Sequence, residues 1–505
     1  MKKILYLVLF VLVSQYSTGQ QIHVRLDSLC RNTYSAVLSL HFAPARKLLN
    51  REEQKHPANV YTDYLYNYMD FLKIFIGEDQ NLFDRLDDTF DLRYGRIKQL
   101  PDTSRYKNLL LANMNLQWAF ARLKFGQYFT AAWELNKAYR LITENNERFP
   151  GFVPNNITLG ILHVIIGLVP DKYQWMLKII SMEGNVEQGK AELYRALDQA
   201  AANPTYAYLY HESLFYLGFI ELNLSANQNT LNKLMKYLRK TDADNLLMDF
   251  LKADIYIRHG KNDKALDVLR NAPRGSGYFP FYYLNYLQGE CYLRKLSTDS
   301  ADAEYHYFLH HFRGLNYIKD AWRKRAWDAL LHHDSVTYRR RMDSVIRFGS
   351  AKVGADKEAL TEAERGRIPN IDLLRVRLLF DGGYYSTAKS ILTQMDTAGF
   401  TDEEKTEYIY RFARITHRLH QIPQAKKAYR ETLATGSRLP RYFAANAALK
   451  LGEIYESEDS LTLAQKFYRE CLNLPFDEYV NSIRGKAKEA LQRITEKQKA
   501  ISAGN

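Results

Sequence analysis

Adjacent histidines are the first candidates for chemistry in this sequence, because imidazole binds metal ions and transfers protons near neutral pH. They occur as His310–His311 and His332–His333. Neighbouring side chains on a helix point about 100° apart, so neither pair can simply chelate one ion. We expect both pairs to lie on the exposed surface.

Motifs of common enzymes are absent from the sequence. It contains no His-Glu-x-x-His, no Walker loop, no Gly-x-Ser-x-Gly and no paired Cys-x-x-Cys. The glycines of residues 273–280 (PRGSGYFP) and 381–385 (DGGYY) are typical of turns, where glycine supplies positive φ. The sequence therefore predicts no catalytic residue, no cofactor and no metal site, and it favours a binding protein over an enzyme.

The three cysteines also argue against redox or metal chemistry. Cys30, Cys291 and Cys471 are too widely separated for a metal-binding spacing or a disulfide framework. We expect each to be buried as a small apolar side chain.

A chain of 505 residues, 46% hydrophobic and 25% charged, has an ordinary globular composition, and its length predicts either several domains or a repeat array. Residues 449–475 (LKLGEIYESEDSLTLAQKFYRECLNLP) favour repeats. Gly452 with Tyr455 and Ala464 with Tyr468 are spaced at helical intervals, which predicts two amphipathic helices. Small residues would lie where the two helices cross, and the tyrosines would fill gaps towards neighbouring hairpins.

This stretch resembles the tetratricopeptide repeat, a 34-residue helix-turn-helix with Leu-Gly-x-x-Tyr, then Ala, an aromatic residue and a closing proline. Five further stretches fit the template to varying degrees: 125–138, 253–272, 287–308, 381–392 and 420–433. The resemblance implies an all-α fold, a superhelical array of antiparallel helix-turn-helix repeats. The predicted divisions are 1–19 (signal peptide), 20–200 (N-terminal helical region with one repeat-like hairpin and an apolar segment), 201–349 (divergent repeats), 350–370 (polar interruption) and 371–500 (C-terminal repeats and capping helix).

A second resemblance lies within residues 155–193, two strongly apolar helices punctuated by Gly160, Pro170, Gly184 and Gly189. This series resembles the apolar segment of the tetratricopeptide-repeat thirty-nine and inclusion-body-clearance family, over roughly residues 110–200. The resemblance implies a scaffold or a lipid-related role without a catalytic site. The twelve residues before Pro170 are too short to span a bilayer, so we expect a buried core helix, with His163 satisfied inside it.

The N-terminus predicts export. Lys2 and Lys3 precede the apolar run Ile4 to Val13, and small residues Ser17 and Gly19 suit a signal peptidase. We expect cleavage near Gly19, with a retained membrane anchor as the alternative, and a periplasmic or outer-membrane-associated protein.

Net charge is the remaining sequence clue to partners. The formal charge is +13, and residues 319–349 hold eight Lys and Arg against four Asp. That segment is either an anion-binding surface or, as we favour, a solvated pair of helices with local Asp partners. Nucleic acid is disfavoured by export.

Three functions remain open from the sequence. The favoured one is an exported scaffold that binds a protein or peptide partner in the cell envelope, with peripheral membrane association as a further possibility. A glycan- or lipid-binding helical-repeat protein at the outer membrane is the alternative, motivated by 37 Tyr and 5 Trp, and a hydrolase on a helical scaffold is the third. Projecting the repeat template predicts ligand contacts on the concave face at Asn370, Arg377, Tyr410, Arg414, His417, Asn446 and Glu453.

Overall fold

The computed structural model describes residues 21–169, 181–224, 228–241 and 244–503. Within these ranges the secondary structure is helical apart from one isolated bridge between His23 and Asn59. The predicted all-α fold is confirmed. The predicted signal peptide and Pro170 lie outside the described residues.

The described ranges form 24 α-helices. The first eleven are α1 (Ser28–Leu38), α2 (Phe42–Lys55), α3 (Tyr61–Gly77), α4 (Gln80–Lys98), α5 (Lys107–Phe125), α6 (Tyr128–Arg148), α7 (Asn155–Gly167), α8 (Val186–Ala202), α9 (Tyr210–Leu224), α10 (Gln228–Leu238) and α11 (Leu246–Arg258). The others are α12 (Asn262–Asn271), α13 (Tyr283–Arg294), α14 (Thr298–His311), α15 (Ile318–Leu331), α16 (Ser335–Arg347), α17 (Gly354–Arg365), α18 (Ile371–Gly382), α19 (Tyr385–Thr393), α20 (Asp402–Arg418), α21 (Ile422–Gly436), α22 (Phe443–Ser457), α23 (Leu461–Asn473) and α24 (Val480–Ala503).

The chain divides into two compact units. The N-terminal unit contains residues up to 255 together with 271–282, and the C-terminal unit contains 256–270 together with residues from 283 onward. Within each unit, many helices that follow one another pack together, as α5 packs on α6 and α22 on α23. Packed pairs lie at five of the six stretches that the sequence pattern predicts as hairpins: α5 with α6, α13 with α14, α18 with α19, α20 with α21, and α22 with α23. None of the described helices combines the length and apolar character that crossing a bilayer requires.

Glycine and tyrosine meet inside two of the hairpins of the C-terminal unit. A Cβ atom at Gly452 would lie 2.5 Å from the ring of Tyr468, and one at Gly289 would lie 3.0 Å from the ring of Tyr305. Both rings are completely buried. The predicted close approach at Gly452 is confirmed, but the predicted place of Tyr468 was wrong, because its ring fills space within its own hairpin.

Helices α7 and α8 of the N-terminal unit touch through their backbones. A Cβ atom at Gly160 would lie 2.7 Å from the carbonyl oxygen of Gly189, and one at Gly189 would lie 2.4 Å from the carbonyl oxygen of Gly160. The residues of α7 are almost all buried, which confirms the predicted core helix. His163 is 6% exposed, and its Nδ1 lies 2.7 Å from Glu192, so this histidine is satisfied as expected.

A buried carboxylate joins three helices of the same unit. Glu212 on α9 accepts hydrogen bonds from the hydroxyl of Tyr68 on α3, at 2.6 Å, and from the hydroxyl of Tyr34 on α1. All three side chains are buried. Burial raises the pKa of Glu212, although the two hydroxyl groups oppose the shift. Tyr34 and Tyr68 thus serve packing and buried hydrogen bonding.

Cys30, Cys291 and Cys471 are free and buried. The expectation that they behave as small core residues is confirmed.

Candidate functional site: a charged groove in the C-terminal unit

A groove of about 660 Å³ opens on the C-terminal unit. Its walls come from α15, α17, α18 and α20, together with the connections that precede α18 and α22. The groove is lined by both signs of charge and by apolar side chains: Trp327, Glu362, Arg365, Arg367, Ile368, Pro369, Asn370, Leu374, Arg377, Thr401, Asp402, Glu403, Glu404, Glu407, Leu439 and Arg441.

Two helices begin at this groove, and local hydrogen bonds define where each begins. The side chain of Asn370 caps α18 by accepting from the backbone N–H groups of Asp372 and Leu373, at 3.1 and 3.2 Å. Thr401 and Glu404 form a capping box at the start of α20. Asn370 Nδ2 also donates to Glu404 Oε1 at 3.4 Å, which links the two helix starts.

The Thr401 contacts also set the ionisation of Glu404. Burial alone would raise the pKa of this carboxyl, but the hydrogen bonds from the backbone and hydroxyl of Thr401 outweigh it, so the pKa lies below its ordinary value. A carboxylate held ionised in this way is an acceptor for a ligand's N–H groups and a poor general acid.

Ion pairs bridge the segments along the groove. Glu403 lies between two arginines, 3.0 Å from Arg367 Nη1 and 3.2 Å from Arg441 Nε. Arg441 Nη1 also lies 2.8 Å from Glu478, which pairs in turn with Arg365. Arg367 is exposed, so its pairing with Glu403 contributes little to folding and can be exchanged for a ligand group.

Trp327 and Arg377 both line the groove and pack against each other. The guanidinium of Arg377 lies 4.8 Å from the centroid of the Trp327 ring, and Arg377 Nη2 lies 3.2 Å from the hydroxyl of Tyr479. The indole N–H donates to Glu362 Oε1 at 2.7 Å. These contacts hold the guanidinium of Arg377 in place beside the indole ring.

The structure places only two of the predicted ligand contacts, Asn370 and Arg377, on this groove. Tyr410 is completely buried, and its hydroxyl accepts from Asn446 Nδ2 at 2.8 Å. The guanidinium of Arg414 lies 4.0 Å from the centroid of the Phe380 ring. Tyr410 therefore cannot itself reach a ligand from the core.

His417 and Glu453, the two remaining predicted contacts, each have a partner of their own. His417 Nδ1 lies 3.3 Å from the hydroxyl of Tyr429, and burial, assisted by the charge of Lys450, lowers the pKa of His417. Glu453 pairs with Lys450 at 2.6 Å. Of the seven predicted residues, two therefore line this groove.

Glu403, Arg441 and Trp327 are groove residues that sequence reasoning missed. The Thr-x-x-Glu spacing at Thr401 is a helix-start signal that could have drawn attention to Glu403. Glu403 and Arg441 are 38 positions apart in the sequence, so no local sequence pattern predicts that they pair.

Several basic residues of the segment 319–349 are paired with acidic residues, as the favoured interpretation expected. Arg339, Arg340 and Arg347 on α16 are exposed, as expected of a solvated helix, whereas Lys319 and Arg323 on α15 are buried. Arg323 is only 5% exposed and pairs with Asp320 and Glu362. Lys324 lies 3.0 Å from Glu290. Several partners of the α15 residues thus come from other helices. Further pairs of this segment are Arg325 with Asp302, and Arg341 with Asp302 and Asp328.

Comparisons with known proteins find similar solved structures and one matching family model. The structure titled "Human IFIT1 dimer with PPP-AAAA" is 14% identical, covers 90% of this chain and 97% of its own chain, and has a TM-score of 0.28. A monomeric mutant of IFIT1 with Gppp-AAAA is 13% identical, covers 89% and 97%, and has a TM-score of 0.30. No curated protein matches the chain. The family model described as Iml2/Tetratricopeptide repeat protein 39 matches residues 84–274, so the resemblance to that family is confirmed over this part of the chain.

Proposed function

We propose that this protein is an exported helical-repeat scaffold that holds an extended segment of a partner protein in the groove of the C-terminal unit. The groove carries the proposal, because it offers an exchangeable charged pair beside apolar side chains at the start of two helices. Repeat folds of the tetratricopeptide type generally bind protein segments and typically lack catalysis.

The chemistry of the groove favours a segment with both charges. Glu403 and Glu404 can accept from a partner's Lys, Arg or backbone N–H groups, and Arg367 can pair with a partner's carboxylate. Exposed Ile368 offers apolar contact beside them. Because such rim pairs are screened by salt, binding should weaken as ionic strength rises.

A charge-reversal variant tests the groove. We expect Arg367→Glu combined with Ile368→Asp to reduce capture of the partner about tenfold or more, since it places a like charge beside Glu403 and removes the apolar contact. The measurement is crosslinking in the native envelope, with the captured proteins identified and quantified by mass spectrometry. The same preparation gives the N-terminal residue of the protein, which export predicts near residue 20.

The chain supplies a matched control on α16. Ile346 and Arg347 are also an exposed Ile and Arg in sequence, and they do not line the groove. Ile346→Asp with Arg347→Glu should leave capture unchanged. Equal loss in both double variants, or no loss at the groove, would show that the groove is not the binding site.

A second candidate function, peripheral membrane association, is favoured by an aromatic patch at the start of α6. Tyr128, Phe129 and Trp133 are 65%, 94% and 64% exposed. Phe129 and Trp133 are four residues apart and share one helix face, and Lys137 lies 5.1 Å from the centroid of the Trp133 ring. Exposed aromatic side chains with neighbouring cations are typical of surfaces that insert at the membrane interface.

Vesicle binding tests this patch. We expect the chain to co-sediment with vesicles that contain anionic lipid, and Phe129→Ser with Trp133→Ser to lose about tenfold in the bound fraction, because the inserted apolar area is lost. Phe219→Ser is the control, since Phe219 is a large exposed side chain of the same unit. Sedimentation that does not respond to the patch variant would reject this function and leave the groove proposal intact.

A further inference from the structure

Two carboxylates and an imidazole lie close together near the start of the N-terminal unit. Asp27 is the residue that caps α1, Glu52 lies in the last turn of α2, and His56 follows the end of α2. One ligand atom from each lies within 4.8 Å of the other two. Glu52 and His56 are four residues apart, which brings their side chains to the same side of the chain.

Two atoms of this cluster are buried and make no hydrogen bond to the residues that the structure describes. Glu52 is 1% exposed, and its Oε2 has no hydrogen-bond partner among the described residues. His56 Nδ1 is also buried and lacks a hydrogen bond there, although it lies only 3.2 Å from Glu52 Oε1. A buried carboxylate oxygen without a hydrogen bond is costly, and a bound cation would remove that cost.

Asn59 fixes the orientation of the buried glutamate. Its Nδ2 donates to Glu52 Oε1 at 2.8 Å, and Asn59 is itself completely buried. Its Oδ1 accepts from the backbone N–H groups of Arg25 and Tyr61, at 2.9 and 3.2 Å, so the amide is fixed in turn. Outer hydrogen bonds of this kind position ligands in metal sites.

Asp27 is held in place, but its Arg25 partner can be exchanged for another cation. Its Oδ1 accepts from the backbone N–H of Cys30 at 3.1 Å, which holds the carboxylate at the start of α1. Its Oδ2 pairs with Arg25 at 3.0 Å, and the Arg25 side chain is 51% exposed. An exposed ion pair contributes little, so an ion can replace Arg25 at that oxygen.

We propose that Asp27, Glu52 and His56 bind one divalent transition-metal ion, with water in the remaining coordination positions. A set of one imidazole and two carboxylates suits Zn²⁺ and its first-row neighbours, whereas Mg²⁺ and Ca²⁺ prefer oxygen alone. Ligand atoms at about 2.0–2.2 Å from a tetrahedral ion lie roughly 3.3–3.6 Å from one another, so the cluster would contract on binding wherever its atoms now lie further apart. The ion would join the start of α1 to the end of α2.

Metal content tests the proposal. The full chain is stripped with a chelator and titrated with Zn²⁺ by calorimetry, and Co²⁺ serves as a spectroscopic probe through its visible absorption. We expect about one equivalent of tightly bound metal in the unaltered chain, and at least about a tenfold weaker affinity in Glu52→Gln and in His56→Gln. His56 is partly exposed, so its variant should fold even if burial makes Glu52→Gln unstable.

An exposed histidine pair provides the control for adventitious binding. His306 and His310 are one helical turn apart on α14, and their ring centroids lie 6.2 Å apart. His306→Gln with His310→Gln should keep the tight equivalent. The proposal fails if that control loses the tight equivalent, if His56→Gln keeps it, or if no metal binds to the unaltered chain.

Discussion

Replacing Gly189 with alanine should lower the free energy of unfolding by about 3 kcal/mol, because the added methyl group has no room between α7 and α8. Its Cβ would lie 2.4 Å from the carbonyl oxygen of Gly160 and 2.8 Å from the backbone nitrogen of Val164. Both are backbone atoms, so relief requires a whole helix to move. Urea unfolding of the full chain followed by circular dichroism measures the loss, and hydrogen exchange within α7 localises it.

Gly95→Ala is the matched control for this substitution. Gly95 lies in α4, and no described atom lies within 4 Å of a Cβ placed there. Alanine should therefore stabilise the chain by about 0.5–1 kcal/mol, through higher helix propensity. If both variants behave alike, the contact between α7 and α8 is looser than the structure shows.

Glu212→Ala should also cost about 3 kcal/mol, because it leaves two buried hydroxyl groups without an acceptor. Those groups belong to Tyr34 and Tyr68. Glu187→Ala changes an exposed glutamate of the same unit, so it should stay within about 0.5 kcal/mol of the unaltered chain. Urea unfolding of the full chain measures both variants.

An apolar replacement of all three groups separates a lost hydrogen bond from a lost contact. Glu212→Leu together with Tyr34→Phe and Tyr68→Phe leaves no unsatisfied polar side chain from this set, so much of the stability should return. A triple variant less stable than Glu212→Ala would contradict the assignment of the loss to unsatisfied hydroxyl groups.

The part of the free energy of unfolding that depends on Glu212 should fall as pH rises. Since burial raises the pKa of Glu212 in the folded chain, the folded state holds a proton that the unfolded state has released. The contribution of protonated Glu212 to the free energy of unfolding is fully present below the unfolded-state pKa of about 4.5. That contribution is lost as pH rises through the folded-state pKa. The Gln side chain of Glu212→Gln cannot titrate, so this variant should lose that part of the change in unfolding free energy with pH.

The helical hairpins could be predicted from the sequence because their cause is local. Apolar residues at helical spacing define each buried face, and the glycines at positions 160, 189 and 452 mark close approaches that no larger residue allows. Helix α17, which lies within the predicted polar interruption at 350–370, is harder to predict from the sequence. Only Asp356, Ala359 and Ala363 of α17 are buried, and the first of these is polar.

Asp356 also shows why polar residues mislead sequence reasoning. Its carboxylate accepts from the backbone N–H groups of Tyr317 and Asp320, at 2.6 and 2.9 Å, and so caps α15 from another helix. Such a role depends on packing between segments that are distant in sequence. The groove depends on packing in the same way, which is why template projection found Asn370 and Arg377 but not the pairing of Glu403 with Arg441.

The burial of the cysteines has a practical consequence for studying the groove. Burial raises the pKa of the Cys30, Cys291 and Cys471 thiols to about 12, so each is almost wholly protonated near neutral pH. Protonated, enclosed thiols react slowly with alkylating reagents. A cysteine introduced at Ile368 would therefore take up a maleimide dye ahead of the native thiols, and fluorescence could follow a partner entering the groove.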